Sequence, residues 1–235
     1  MKQPFTLNLT KKERMTGIAY IPIHAAGLPY LLIFGSLIIF GTMDTALLTA
    51  VHYSVSFFIV LALFFRYLRD SFTDMCKSFG KTLKAVLLGF GVYFILQFAM
   101  IMLLNNTPVM GEINPNQAAI AQSAAQNFSM IAVVAVLLAP IVEEVIFRGA
   151  LFGSLRLKSR ILAYVVSAVV FSMYHLWPEF VFNFRPELWL FLLQYVPGSI
   201  AIAWSFERGG TIWSPIFLHA LINFIGIRAL AAAAG

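Results

Sequence analysis

Phe128-Ser129-Met130-Ile131-Ala132-Val133-Val134-Ala135-Val136-Leu137-Leu138-Ala139 runs without a charge into Pro140-Ile141-Val142-Glu143-Glu144-Val145-Ile146-Phe147-Arg148-Gly149. The first part reads as membrane-spanning. The second places two adjacent carboxylates and an arginine in the same apolar run. Ionisable groups at membrane depth are costly, so they point to function by default. On a helix, Glu144 and Arg148 are one turn apart and can pair. Glu143 lies about 100° round from Glu144 and can face elsewhere. One glutamate can then be held by Arg148 while the other is left for chemistry. The plainer alternative is a helix end with a snorkelling arginine.

The same apolar character recurs along the chain. Of 235 residues, 60% are hydrophobic and 11% charged, with a mean hydropathy of +0.86. Soluble domains are about half apolar and a quarter charged. Apolar runs of about 17–25 residues read as spanning helices. They fall at Ile18–Phe40, Ala46–Phe65, Ala85–Leu104, Phe128–Phe152, Ile161–Trp177, Leu188–Phe206 and Thr211–Leu230. The fold class expected is all-α, a polytopic membrane bundle of about seven helices. Pro22 and Pro29 interrupt the first run and can kink or break it. The chain divides at the fourth run into residues 1–127 and 128–230, expected to form one integrated membrane domain.

The polar and basic stretch Met1–Arg14 and the long run after it do not read as a cleavable signal peptide. Cys76 is the single cysteine, which excludes an internal disulfide and a cysteine metal cluster. The net charge of +6 lies in the connections, so it calls for no nucleic-acid partner. Thirteen Lys and Arg fall on one side: Lys2, Lys11, Lys12 and Arg14, then Arg66, Arg69, Lys77, Lys81 and Lys84, then Arg156, Lys158, Arg160 and Arg208. Arg185 and Arg228 fall on the other. That bias predicts a multi-pass protein of the cell membrane with its N-terminus in the cytoplasm and its C-terminus outside. Arg66–Lys84 mixes basic with apolar residues and is expected as an amphipathic helix on the membrane surface, or as a solvated basic loop. The opposite loop, Asn105–Asn127, either covers the site or is mobile.

Four histidines are present. His24 and His52 each read as isolated, and as structural or interfacial. Phe171 and His175 share one helical face, as do His219 and Asn223. Counted from the basic ends at about 1.5 Å per residue, Glu143, His175 and His219 sit roughly 12–21 Å deep, near mid-membrane. Ionisable side chains at one depth on different helices point to a shared polar cavity. There a carboxylate and an imidazole can activate water, and N–H groups of His219 and Asn223 can bind a developing oxyanion. That combination suits amide hydrolysis.

Glu143-Glu144-x-x-x-Arg148, Phe171-x-x-x-His175 and His219-x-x-x-Asn223, in that order on a polytopic chain, resemble the CAAX protease and bacteriocin-processing family of intramembrane proteases, relatives of the type II CAAX prenyl endopeptidase. Phe147-Arg148-Gly149 fits as well. Each motif alone is weak, and the ordered set is specific. The resemblance covers about Phe128 to Leu230. It implies a glutamate-dependent intramembrane endopeptidase in which Glu143 and His175 activate water, His219 and Asn223 bind the oxyanion, and Glu144, Arg148 and Phe171 support the site. It implies a membrane-associated peptide or protein as substrate, with C-terminally lipidated proteins, bacteriocins and signal peptides in the family's range. No metal is expected, since no helix pairs two histidines at i and i+4 around a glutamate as zinc protease helices do. A zinc site on Glu143, His175 and His219 is the alternative. Two other function classes compete. One is a non-catalytic peptide-binding protein, a bacteriocin immunity factor or regulatory partner. The other is a transporter, weakened by the lack of inverted repeats and by carboxylates confined to one helix.

Overall fold

The computed structural model describes residues 5–42 and 44–234. Lys2, part of the charge bias above, lies outside the described residues. Among the described residues, seven helices are long and apolar enough to cross a membrane: Lys11–Phe40, Thr45–Lys77, Phe79–Leu104, Phe128–Arg156, Arg160–Phe182, Leu188–Gly209 and Trp213–Ala232. They are called spans one to seven below. No strand occurs among the described residues. The chain is an all-α, multi-pass membrane protein.

Span one begins at a capping box. Thr10 Oγ1 accepts from Glu13 N at 3.2 Å and Glu13 Oε2 accepts from Thr10 N at 2.7 Å, which satisfies two otherwise orphaned amides. The prolines neither break the span nor change the count. After Pro22 the helix widens into a π segment, Ile23–Gly27, and returns to α geometry at Leu28. The wider turn closes with the Leu28 N–H on the Ile23 carbonyl, five residues back. Gly41, at φ 65°, ends the span in the left-handed conformation that glycine adopts without strain.

Span two has 33 residues, about 50 Å at 1.5 Å per residue, more than a bilayer core of about 30 Å. Its backbone departs from helical geometry at Phe64. Beyond that point the helix continues to Lys77, and span three starts at Phe79 after the single turn residue Ser78. This corrects the expectation for Arg66–Lys84. The stretch is neither a separate surface helix nor a loop, but the joined ends of two spans. Tyr67, Leu68, Ser71 and Met75 recur on one helical face and are buried. Trp213 Nε1 donates to the Leu68 carbonyl at 3.4 Å and Thr211 Oγ1 to the Ser71 carbonyl at 3.0 Å. Those contacts hold the extension against the bundle.

Span four is the axis. Its apolar window is 56% buried, against 44% or less in every other span. Val142 to Ala150 is buried on all sides, as expected for a helix enclosed by others. It holds two π segments, Val134–Leu138 just before Pro140, and Glu144–Phe152. One hydrophobic cluster joins Tyr20, Val60, Phe64 and Tyr67 from spans one and two to Val142, Val145, Ile146, Phe147 and Phe152 of span four and to Phe171, Phe206 and Ile216. Spans one and four pack closely at Gly17, where a Cβ would lie 2.4 Å from Ala150 Cβ.

The loop opposite the basic end carries a short 3₁₀ turn, Pro108–Gly111, and a helix, Pro115–Gln126. Gln126 Oε1 accepts from Thr45 Oγ1 at 2.8 Å and from Ala46 N at 3.0 Å. Asn114, buried at the helix start, donates to Gln194 Oε1 at 2.9 Å and accepts from the Tyr195 hydroxyl at 2.8 Å. The loop is packed on the start of span two and on span six where that span is interrupted between Leu193 and Val196.

Candidate active site

The π segment from Glu144 to Phe152 keeps Glu144 and Arg148 paired. Arg148 Nη1 donates to Glu144 Oε1 at 3.2 Å, and both side chains are wholly buried. Arg148 Nη2 reaches Ser199 Oγ at 3.3 Å on span six. The guanidinium carbon lies 4.1 Å from the centre of the Phe171 ring, a cation–π contact in a dry setting. The motif phenylalanine thus supports the arginine, and through it Glu144.

Glu144 Oε1 also accepts from His219 Nδ1 at 2.7 Å, which links span four to span seven. His219 Nε2 then faces Glu143 Oε2 at 3.9 Å. That is too long for a hydrogen bond. Buried Glu143 Oε2 has no hydrogen-bond partner among the described residues. Glu143 Oε1 accepts from the Tyr53 hydroxyl of span two at 2.8 Å. The two adjacent glutamates are therefore unlike. Each has one buried oxygen, Oε2, without a partner among the described residues, but Glu144 Oε1 is tied to a cation and an imidazole, whereas Glu143 Oε1 is held by a neutral hydroxyl alone.

His175 stands next to this group. Its Nδ1 lies 2.8 Å from the Phe171 carbonyl. A carbonyl only accepts, so Nδ1 carries the proton and Nε2 of the neutral ring keeps a lone pair. The ring stacks on Tyr195 at 4.5 Å and meets Phe171 edge-on at 4.5 Å. Asn114 holds the Tyr195 hydroxyl, so the loop that carries Asn114 reaches His175 through one aromatic ring. Asn223 Nδ2 donates to the Ala135 carbonyl at 2.8 Å, inside the π segment Val134–Leu138. One amide N–H remains for another acceptor.

The seven residues read from the motifs thus lie on three spans, four, five and seven; the contacts above link six of them, and Asn223 meets the Ala135 carbonyl on span four. Among the described residues, no three His, Cys, Asp or Glu side chains are grouped closely enough to hold a metal ion together.

Sequence reasoning missed a second layer. Besides Tyr53, the Tyr174 hydroxyl lies 2.9 Å from that of Tyr53. His24 Nε2 lies 3.0 Å from the Tyr174 hydroxyl and His24 Nδ1 2.9 Å from Ser56 Oγ. His24 and His52 are not isolated, as expected above. Their rings stack at 4.7 Å, and His52 Nε2 donates to the His24 carbonyl at 3.0 Å. The signal available was the polar run His52-Tyr53-Ser54 with Ser56 in an otherwise apolar span, unusual at membrane depth.

Residues 125–225 match the protein family described as Type II CAAX prenyl endopeptidase Rce1-like. This segment, less than half of the chain, is similar to that family. It holds every motif residue named above. Over 99 residues the chain is 31% identical to "Putative membrane peptidase YdiL" of Bacillus subtilis (strain 168), a stretch that is 42% of this chain. The chain covers 36% of that relative's length. No solved structure matches significantly. The resemblance to the CAAX protease and bacteriocin-processing type thus rests on the C-terminal four spans.

Proposed function

We propose that this protein is an intramembrane endopeptidase that hydrolyses a peptide bond with water activated by Glu143 and His175, without a metal. The observation that carries the reading is that Glu143, unlike Glu144, has a bare oxygen without being hydrogen-bonded to the buried arginine or to His219. Glu143 Oε2 is buried and unpartnered, 3.9 Å from an imidazole nitrogen, and its twin oxygen is fixed by Tyr53. A buried acceptor left open is costly, and a catalytic base needs one.

Water binds between Glu143 Oε2 and the lone pair of His175 Nε2. Glu143 takes its proton as oxygen attacks the scissile carbonyl carbon. The carbonyl π electrons move to oxygen, and the oxyanion accepts N–H from Asn223 and from His219 Nε2. His219 already donates Nδ1–H to Glu144, so donation from Nε2 requires the imidazolium form. With that form the buried charges balance: two carboxylates against one guanidinium and one imidazolium, as burial demands. Glu143 then returns the proton to the leaving nitrogen as the C–N bond breaks.

The substrate class proposed is a membrane-associated peptide or protein. A prenylated C-terminal sequence is the form that the family description names, and bacteriocin or signal peptides are the other candidates. The basic end is proposed to face the cytoplasm. The test compares membrane proteomes of cells carrying the wild type and Glu143→Gln. New peptide termini present only with the wild type support the reading. Identical termini, with peptide binding retained by both proteins, would instead make this a peptide-binding protein without turnover.

A further inference from the structure

Glu143 Oε1 is the end of a hydrogen-bonded chain that enters from outside the family-matched segment. Tyr20, Ser56, His24, Tyr174, Tyr53 and Glu143 are linked in that order by contacts of 3.2, 2.9, 3.0, 2.9 and 2.8 Å. Four of these residues lie on spans one and two. Each hydroxyl has one proton to give, so an ionised Glu143 sets the direction of every link. Tyr53 gives its proton to the carboxylate and must accept from Tyr174. Tyr174 must then accept from His24 Nε2–H. The neutral ring accepts at Nδ1 from Ser56, which accepts from Tyr20. No donor is used twice and no acceptor is left over.

The backbone around His24 is built to keep that ring in place. The π segment Ile23–Gly27 after Pro22 contains His24, which is wholly buried. The His24 carbonyl accepts from His52 and the Ala25 carbonyl from Trp177 Nε1 at 3.2 Å. The His24 ring stacks on His52 at 4.7 Å, and the Tyr174 ring lies 5.6 Å away.

We infer that His24, Tyr174 and Tyr53 form a one-way chain that fixes Glu143 Oε1 as an acceptor and so assigns proton transfer to Glu143 Oε2. The three are positioning residues, and the inference rests on Glu143 being the base. Carboxyl torsions are soft and nearly two-fold. Without the Tyr53 proton, the two oxygens of Glu143 exchange places and the bare one no longer points steadily at water.

Two readouts on the full-length purified protein test this. The first needs no substrate. The infrared carboxylate band of Glu143 is the one lost in Glu143→Gln. It should shift in Tyr53→Phe and in His24→Phe, and return toward its wild-type position in His24→Gln, which keeps an N–H donor where Nε2 was. The second uses a quenched-fluorescence peptide spanning a cleavage site found by the proteome comparison. Tyr53→Phe should lower kcat by roughly 10–10²-fold, the size of a lost hydrogen bond to a charged group, with KM within about twofold. His24→Phe should lower kcat less, and should add almost nothing on top of Tyr53→Phe, as expected of residues in one network. An unmoved band in both phenylalanine variants, or effects of the two that multiply, overturns the chain. If Glu143→Gln is inactive while Tyr53→Phe keeps full kcat, the chain is wrong and the base stands. A fully active Glu143→Gln removes the base itself.

Discussion

Arg148 is fully buried with its charge spread over three partners: a carboxylate, the Ser199 hydroxyl and the face of Phe171. Removing it strands Glu144 in the core, and breaking a buried pair from one side typically costs about 3–5 kcal/mol. Arg148→Ala should therefore lower both the melting temperature in detergent and the activity. Arg148→Lys should rescue little, because an ammonium cannot fork between Glu144 and Ser199 or lie flat on Phe171. A melting profile unchanged in Arg148→Ala would refute the pairing. The Glu144–Arg148 pair was legible, since i,i+4 spacing on any helix brings such residues together. So was the inequality of the two glutamates, which follows from their angular separation. Tyr53 and Tyr174 were not legible as partners of Glu143. A tyrosine in an apolar span reads equally well as core or as interface, and only the packing of span two against spans four and five brings the hydroxyls together.

At the scale of helices, hydropathy placed all seven spans, since burial in lipid acts on composition over a whole turn-rich segment. It could not place the three π segments, which change register without changing apolar content. Pro22 and Pro29 marked a disturbance around the first of them, and neither said in which direction the helix would yield. Nor did apolar content locate the contact of spans one and four at Gly17. A side chain there meets Ala150 at once, and overpacking of this kind typically costs about 1–3 kcal/mol. Gly17→Leu should lower the melting temperature. It should also lower activity, because it levers span one, and His24 with it, away from the site. Gly35, on the same span with open space around it, is the control: Gly35→Leu should leave both unchanged. Equal effects at the two glycines would remove the argument from close packing.

For the whole molecule, the basic extension of span two provides its own topological probe. Cys76 is exposed and lies in the joined ends of spans two and three. If the basic end faces the cytoplasm, a membrane-impermeant maleimide should label Cys76 only after cells are opened. In a Cys76→Ser background, a cysteine at Gln117 on the opposite side should be labelled in intact cells. Labelling of Cys76 from outside would invert the orientation and place the Asn105–Asn127 loop in the cytoplasm. In either orientation, the family-matched segment carries every motif residue, while spans one and two close it and supply the donor to Glu143. The central claim remains the metal-free general base, and it is tested most directly by peptide cleavage with purified protein after exhaustive chelation, with metal analysis alongside. The account predicts full turnover by the chelated wild type, and in Glu143→Gln a loss of about 10²–10⁴-fold with peptide still bound. Activity lost on chelation and restored by stoichiometric zinc would contradict it and recast Glu143, His175 and His219 as ligands.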